Sequence, residues 1–336
     1  MRVGDVSWLS GRPMSLALLL LAGIVPCAAW GESDVNAADV NGTEVKGTGD
    51  APELRRELAG HNFIPSRFSL DPFVSTYVSS ETGFGYGTAH GHTYDLNGNP
   101  VSLANYEVGA FAQLLNYQYG FVDWWAVRVF TKLLVYSGLN STGLAGIGTN
   151  GAGNIGLGTT VSFRVGKRLR LGGSLDVIFG PSVFFNVIQA VKESIQNGEI
   201  TSPLNSSSSF VFIPAFVGAW AITESLGFTF SLSHQHPTNS SVSTFGHVNV
   251  VNGVFDWDLA ELNLVPIGFL AGFQTAFGVD TPRFLQFRYQ FGLFYTAVKP
   301  LNVGLEVVYL RAPVVGATEI YLSSIQVLIL LQYNFN

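Results

Sequence analysis

The stretch IYLSSIQVLILLQYNFN, residues 320–336, decides the fold. Side chains alternate between the two faces of a β-strand, and every second residue here is apolar. This row consists of Phe335, Tyr333, Leu331, Ile329, Val327 and Ile325, whereas the intervening row is mixed and largely polar. Strands in soluble proteins usually stop after about five or six residues. A strand that crosses a bilayer at a tilt needs about nine to eleven, so the stretch predicts the closing strand of a transmembrane β-barrel.

The composition favours the same class of protein. Of 336 residues, 47% are hydrophobic and only 12% are charged, with 38 glycines and 26 phenylalanines. Soluble domains carry roughly 25% charged residues. Beyond the N-terminus no apolar run reaches the roughly 18 residues of a transmembrane helix. The net charge is −6 without a basic tract, so we expect no nucleic-acid partner.

The N-terminus has the pattern of a secretory signal peptide over residues 1–31. Arg2 and Arg12 supply positive charge, the apolar core runs over residues 16–25, and cleavage is expected after Ala29 or Gly31. An uncleaved anchor and a lipidated Cys27 are the alternatives. Cys27 is the single cysteine, so we expect an exported chain without disulfides. We predict no cofactor and no metal.

Residues 32–80 are the next unit. The first part is polar and rich in small residues, which predicts a disordered periplasmic lead-in. Larger apolar side chains follow over residues 61–80, which form either a partial plug that packs against or inside the barrel or a plain linker. The barrel itself is expected over residues 81–336.

Within that range the alternation predicts an all-β, antiparallel, up-and-down transmembrane barrel of about twelve strands. Short and long connections alternate, as expected for periplasmic turns and extracellular loops. A large soluble β-sandwich or β-helix is the rival architecture, but it does not explain the length of the apolar rows. The predicted strands are 81–92, 105–119, 124–138, 154–166, 169–179, 210–222, 227–236, 245–259, 263–277, 284–297, 302–311 and 319–335.

Charged residues of these strands fall on the row opposite to the apolar one, which predicts that they line the lumen. A charge facing lipid at the midplane would cost about 2–4 kcal/mol. The set forms either a selective constriction for solutes or an internal salt-bridge network that fills a narrow barrel. The candidates are Arg128, Lys132, Arg164, Arg170, Arg288, Glu107, Asp176 and Glu306.

The periodicity changes after Gly180. Phe184, Val187, Ile188 and Val191 recur at helical spacing. The spacing predicts one short amphipathic helix over residues 182–196, in an extracellular loop. This helix folds into the lumen or caps the mouth as a lid, or it is a surface helix that lies on the neighbouring loops or touches lipopolysaccharide.

A histidine pair, His234 and His236, continues the apolar row of the predicted strand 227–236. Three interpretations stay open. The pair lies in the headgroup zone without further function, or it binds a metal, since residues at i and i+2 share a face. Alternatively it belongs to a lipid hydrolase, for which Ser240 or Ser241 would have to supply the nucleophile.

The signal peptide, the alternating strands and the ending Tyr333-Asn334-Phe335 resemble the bacterial outer-membrane β-barrel proteins. The resemblance covers residues 81–336 and implies a location among outer-membrane lipids and lipopolysaccharide. It also implies that Tyr333 and Phe335 form the signal read by the barrel assembly machinery, although Asn336 follows where the class ends on Phe.

At finer grain, the glycine-rich strands and the predicted helix are similar to channels for long-chain fatty acids and aromatic hydrocarbons. The expected function is therefore passive uptake of small or hydrophobic solutes. A structural or adhesive barrel with a plugged lumen is the first alternative, and an outer-leaflet lipid hydrolase or deacylase is the second.

Overall fold

The computed structural model gives the arrangement of the chain after its N-terminal part. It describes residues 56–67, 69–94, 100–146, 148–185, 194, 204–238, 247–262, 265–279, 284–298, 300–313 and 321–335.

Two short strands, β1 and β2, form a hairpin, and twelve longer strands follow. Their bounds are β1 Glu57–Leu58, β2 His61–Asn62, β3 Tyr77–Tyr94, β4 Pro100–Val122, β5 Trp125–Gly138, β6 Thr149–Val165, β7 Leu169–Phe185, β8 Leu204–Ala221, β9 Leu226–Pro237, β10 Val248–Asp258, β11 Ile267–Gly278, β12 Leu285–Tyr295, β13 Leu301–Pro313 and β14 Tyr321–Asn334. The described residues also include the α-helix α1 Ser141–Gly146 and the 3₁₀ turn Ala260–Leu262.

Strands β3 to β14 close into one antiparallel barrel in which each strand pairs with its neighbours in the sequence. The last strand, β14, pairs with the first, β3, and places Leu330 opposite Glu81 and Ser324 opposite Gly87. The structure therefore confirms the up-and-down barrel, the count of twelve strands and the closing role of the C-terminal stretch.

The outer surface of the barrel is an apolar belt. Outward side chains such as Phe84, Phe291 and Ile329 are 65%, 64% and 57% exposed. Aromatic rings gather near the turns; Phe121 stacks on Trp125 with ring centroids 4.7 Å apart. Such a belt is unfavourable in water and is what lipid requires of a barrel.

The two ends of the barrel differ. At the turn end, β4–β5, β6–β7 and β8–β9 are joined by connections at residues 123–124, 166–168 and 222–225. At the loop end, longer connections join β5–β6 and β9–β10, and α1 lies in the first of them. No helix in the described ranges is long and apolar enough to cross a membrane.

The predicted helix over residues 182–196 is wrong at its start. Strand β7 continues to Phe185, and Phe184 pairs with Asn205 of β8. The serine run before Phe210, which the sequence assigns to a loop, supplies the partner strand and extends the hairpin. Val187, Ile188 and Val191 lie outside the described residues. Ser194, which is described, is helical. The described helix α1 lies instead in the glycine-rich connection after β5.

The chain before β3 enters the barrel. Residues 56–76, here called the luminal segment, contact inward side chains on opposite walls. Phe63 and Phe73 are fully buried and pack against Ala219 and Ala221 of β8. On the other side, Ile64 packs in a cluster with inward residues of β10 to β14, namely Val254, Leu270, Phe294, Val308, Leu328 and Leu330. The segment therefore occupies the lumen near its turn end.

Candidate functional site

A buried ion pair crosses the inner wall of the barrel over a glycine. Arg128 of β5 lies opposite Gly158 of β6, which lies opposite Asp176 of β7. Nη2 of Arg128 donates to both carboxylate oxygens of Asp176 at 2.6 Å. Both residues are 5% exposed. Because Gly158 has no side chain, the two charged groups meet directly above it.

This pair borders a cavity between the charged wall and the luminal segment. The cavity has a volume of about 120 Å³. Lys132 reaches it from β5 and lies 5.0 Å from the centroid of the Phe130 ring. Glu81 of β3 lies 3.7 Å from Nε of Arg67 in the luminal segment. The lining includes four basic side chains, Arg56, Arg67, Arg128 and Lys132, and three carboxylates, Asp71, Glu81 and Asp176.

The luminal segment is held by side chains at its hairpin. His61 is fully buried; its Nε2 contacts the carboxylate of Asp256 in β10, and its Nδ1 lies 3.2 Å from the carbonyl oxygen of Glu224. Arg56 forms an ion pair with Asp71 within the segment. The contacts of His61 join the hairpin to the β8–β9 turn and to β10.

The wall also binds the backbone of the segment. Nε2 of Gln118 donates to the carbonyl oxygens of Phe73 and Ser75, at 2.8 and 2.9 Å. The hydroxyl of Ser162 donates to the carbonyl oxygen of Pro72 at 2.6 Å. Backbone groups that have left water are thus satisfied by the barrel, which makes the segment part of the folded core.

Four further predicted lumen residues lie on inward rows but not in the cavity lining. Arg170 is buried and donates to the hydroxyl of Ser162. Arg164 is exposed at the turn end, where it donates to the carbonyl oxygen of Glu57. Arg288 is half-buried on β12, and Glu306 is buried on β13, with 1% exposure. The charges therefore spread over the lumen and do not form one ring.

The prediction that Glu107 lines the lumen is wrong. Its neighbour Val108 is buried, pairs with Gly138 and packs inside the barrel against Leu134. Since side chains alternate, Glu107 lies on the outward row of β4. It stands near the loop end, where a charge facing outward costs only about 0–1 kcal/mol. The parity of β4 therefore gives Glu107 no access to the lumen.

The histidine pair lies on the outside of the barrel at the loop end. His247, just before β10, joins it, so that ring nitrogens of His234, His236 and His247 lie within 4.8 Å of one another. His234 contacts Asn249 and His247. Ser240 and Ser241, considered above as nucleophiles, lie outside the described residues.

The C-terminal aromatics lie at the turn end. Tyr333 and Phe335 pack edge to face with ring centroids 5.1 Å apart, and both are exposed on the outer surface.

Sequence reasoning missed several residues of the cavity. Glu81 follows the inward parity of the first strand, which begins at Tyr77 and not at residue 81 as predicted. That parity, read from Tyr77 onward, would have identified it. Arg56, Arg67 and Asp71 belong to the luminal segment, whose sequence has no periodicity that indicates its neighbours.

The sequence matches no known protein family and no curated protein. Solved structures give a likeness of fold. A Pseudomonas aeruginosa FadL homologue is 10% identical and covers 87% of this chain and 99% of its own, with a TM-score of 0.47. The KdgM porin is 8% identical and covers 76% of this chain and 99% of its own, with a TM-score of 0.40. The translocator domain of the autotransporter NalP from Neisseria meningitidis is 11% identical, covers 78% and 88%, and has a TM-score of 0.45. The likeness to these three solved structures is one of fold alone.

Proposed function

We propose that the protein is an outer-membrane channel for passive uptake of small solutes, constricted at its periplasmic end by the luminal segment. The observation that carries this proposal is the charged cavity between that segment and the wall of β3, β5 and β7. A lumen kept only as a closed core would gain nothing from buried ionisable groups, because each costs desolvation free energy.

The lining favours polar or anionic solutes over hydrophobic ones. Its basic side chains, Arg56, Arg67, Arg128 and Lys132, number four, against three acidic ones, Asp71, Glu81 and Asp176. The apolar residues of β10 to β14 that cluster with Ile64 are each at most 3% exposed, so this wall offers little free surface to a hydrophobic solute. Rings of charged side chains are a common means of ion selection in pores.

The experiment is conductance in planar bilayers, with ion selectivity as the readout. The full exported chain should give small steps that favour anions weakly. Lys132→Glu makes the lining three basic to four acidic and should invert the sign of the reversal potential in a salt gradient. Glu107→Gln is the matched control, because Glu107 lies on the outward row and should leave selectivity unchanged.

A structural barrel with a plugged lumen is the second candidate, favoured by the contacts of His61, Gln118 and Ser162 with the luminal segment. Deletion of residues 56–76 separates the two. A channel conducts with the segment present and gives larger steps without it. If the full chain is silent and only the deletion conducts, the structural role replaces the channel.

The same proposal implies where the barrel lies in the cell and what inserts it there. An exported barrel of this kind would be inserted by the barrel assembly machinery and lie among outer-membrane lipids and lipopolysaccharide, with β4–β5 and the other turns in the periplasm. The lipid hydrolase alternative has less support, because the described partners of His234 are Asn249 and another histidine.

A further inference from the structure

Three histidines meet on the outer surface at the loop end, and the channel proposal does not use them. His234 and His236 lie near the end of β9, and His247 directly precedes β10. Register brings them together, because Val248 pairs with Gln235 and so sets His247 beside His236. None of the three is buried.

The ring nitrogens of the three histidines lie within 4.8 Å of one another, and the two distances from His247 are those of metal ligands. Nδ1 of His247 lies 3.3 Å from Nε2 of His234 and 3.0 Å from Nδ1 of His236. Two nitrogens bound to Zn²⁺ at about 2.0–2.1 Å with a tetrahedral angle lie about 3.3 Å apart. Nδ1 of His247 therefore lies close enough to Nε2 of His234 and to Nδ1 of His236 for one ion to bind all three nitrogens.

A fourth residue orients one of these rings. Oδ1 of Asn249 lies 2.9 Å from Nδ1 of His234. An amide oxygen only accepts, so Nδ1 of His234 carries the proton and Nε2 presents its lone pair toward His247. Metal-binding histidines usually have such a partner on the other ring nitrogen, and it fixes both tautomer and orientation.

The donor set selects the class of ion. Within the described residues the group contains histidines alone. Imidazole suits Zn²⁺, Cu²⁺ and Ni²⁺, whereas Ca²⁺ and Mg²⁺ prefer oxygen ligands. With three protein ligands, a tetrahedral ion keeps one position for water or an anion.

We propose that His234, His236 and His247 bind one first-row transition-metal dication, with Zn²⁺ as the reference ion, on the outer surface of the barrel. The ion would join the end of β9 to the start of β10. This proposal does not depend on whether the lumen conducts.

The test is titration of Zn²⁺ into the full exported chain, purified without a histidine tag and held in detergent micelles, by calorimetry and by competition with a coloured chelator. We expect one ion per chain. Asn249→Ala should weaken binding about 10–100-fold, the range typical of outer-shell partners. His→Gln at any of the three ligands should weaken it at least as much.

The matched control is His90→Gln. Nδ1 of His90 also contacts an asparagine oxygen, Oδ1 of Asn105, at 2.7 Å, but it lies on β3, away from the cluster. This variant should bind Zn²⁺ like the unmodified chain. Electrophoretic mobility before and after heating verifies that each barrel is folded. Zn²⁺ binding that is absent, or that survives replacement of all three ligands, would overturn the proposal.

Discussion

Gly158 shows how a single missing side chain shapes the lumen. A Cβ atom there would stand only 2.7 Å from Nε of Arg128, and closer still to the carboxylate of Asp176. Gly156, two residues earlier, lies beneath the Phe130 ring in the same way. Gly156 and Gly158 therefore leave the space that neighbouring inward side chains occupy.

Gly158→Ala should displace the Arg128–Asp176 pair and destabilise the barrel by about 1–3 kcal/mol, the usual cost of overpacking. Urea-induced unfolding from lipid vesicles measures this difference. Gly153→Ala on the same strand is the control, since nothing lies within 4 Å of its added Cβ. Equal stability of the two variants would contradict a tight packing role for Gly158.

At the scale of the element, β14 has two faces with opposite surroundings. Outward Val327 is 43% exposed, whereas inward Leu328 and Gln326 are buried. Leu328 leans over Gly83 and Gln326 over Gly85, both on the inward row of β3. The glycine run of β3 thus leaves room for β14, while Phe84 and Tyr86 between the glycines face outward.

Val327→Arg places a charge in lipid near the middle of β14 and should cost about 2–4 kcal/mol in the free energy of unfolding from vesicles. The same substitution at Tyr321, the outward residue at the loop end of this strand, should cost about 0–1 kcal/mol. A penalty that is equal at both positions would argue against a membrane-spanning β14.

Of the whole fold, the strands are what the sequence predicts best, and β14 shows the reason. Lipid imposes one apolar side chain on every second position, so parity is visible without knowledge of neighbours. The same local pattern gave Arg128 and Asp176 their inward direction. It misplaced Glu107 because the polar and apolar residues of β4 are mixed. It also began a helix at residue 182, where pairing of β7 with β8 outweighs helical spacing.

At the scale of the whole molecule, the contacts that build the cavity join residues far apart in the sequence. Such contacts leave no local pattern from which they could be predicted. His61 and Asp256 are separated by 195 positions. For residues 32–80 the sequence allows both a polar lead-in and a plug. It cannot distinguish them, because only the closed barrel brings the partners of the luminal segment together. The sequence also places His247 at an outward strand end, but its position beside His234 and His236 follows only from the register of β9 with β10.

Insertion of the whole barrel should depend on its C-terminal aromatics. Phe335→Ala is expected to lower the amount of folded protein in the outer membrane several-fold, measured as the heat-modifiable fraction in membrane extracts. Tyr321→Ala, an outward aromatic at the other end of β14, is the control. Refolding of both purified variants into detergent should be similar, because that step does not need the assembly machinery that is proposed to recognise Phe335. Equal membrane levels of the two would remove Phe335 from that signal.

The partners of His61 also set an order of events in time. The luminal segment precedes every strand of the barrel in the chain, yet Asp256 belongs to β10 and Ile64 packs against residues of β10 to β14. Docking must therefore wait until the last strands exist, and a loop that long is slow to close. A newly closed barrel would pass through a short-lived open form, and burial of His61 would mark the moment at which its biogenesis is complete.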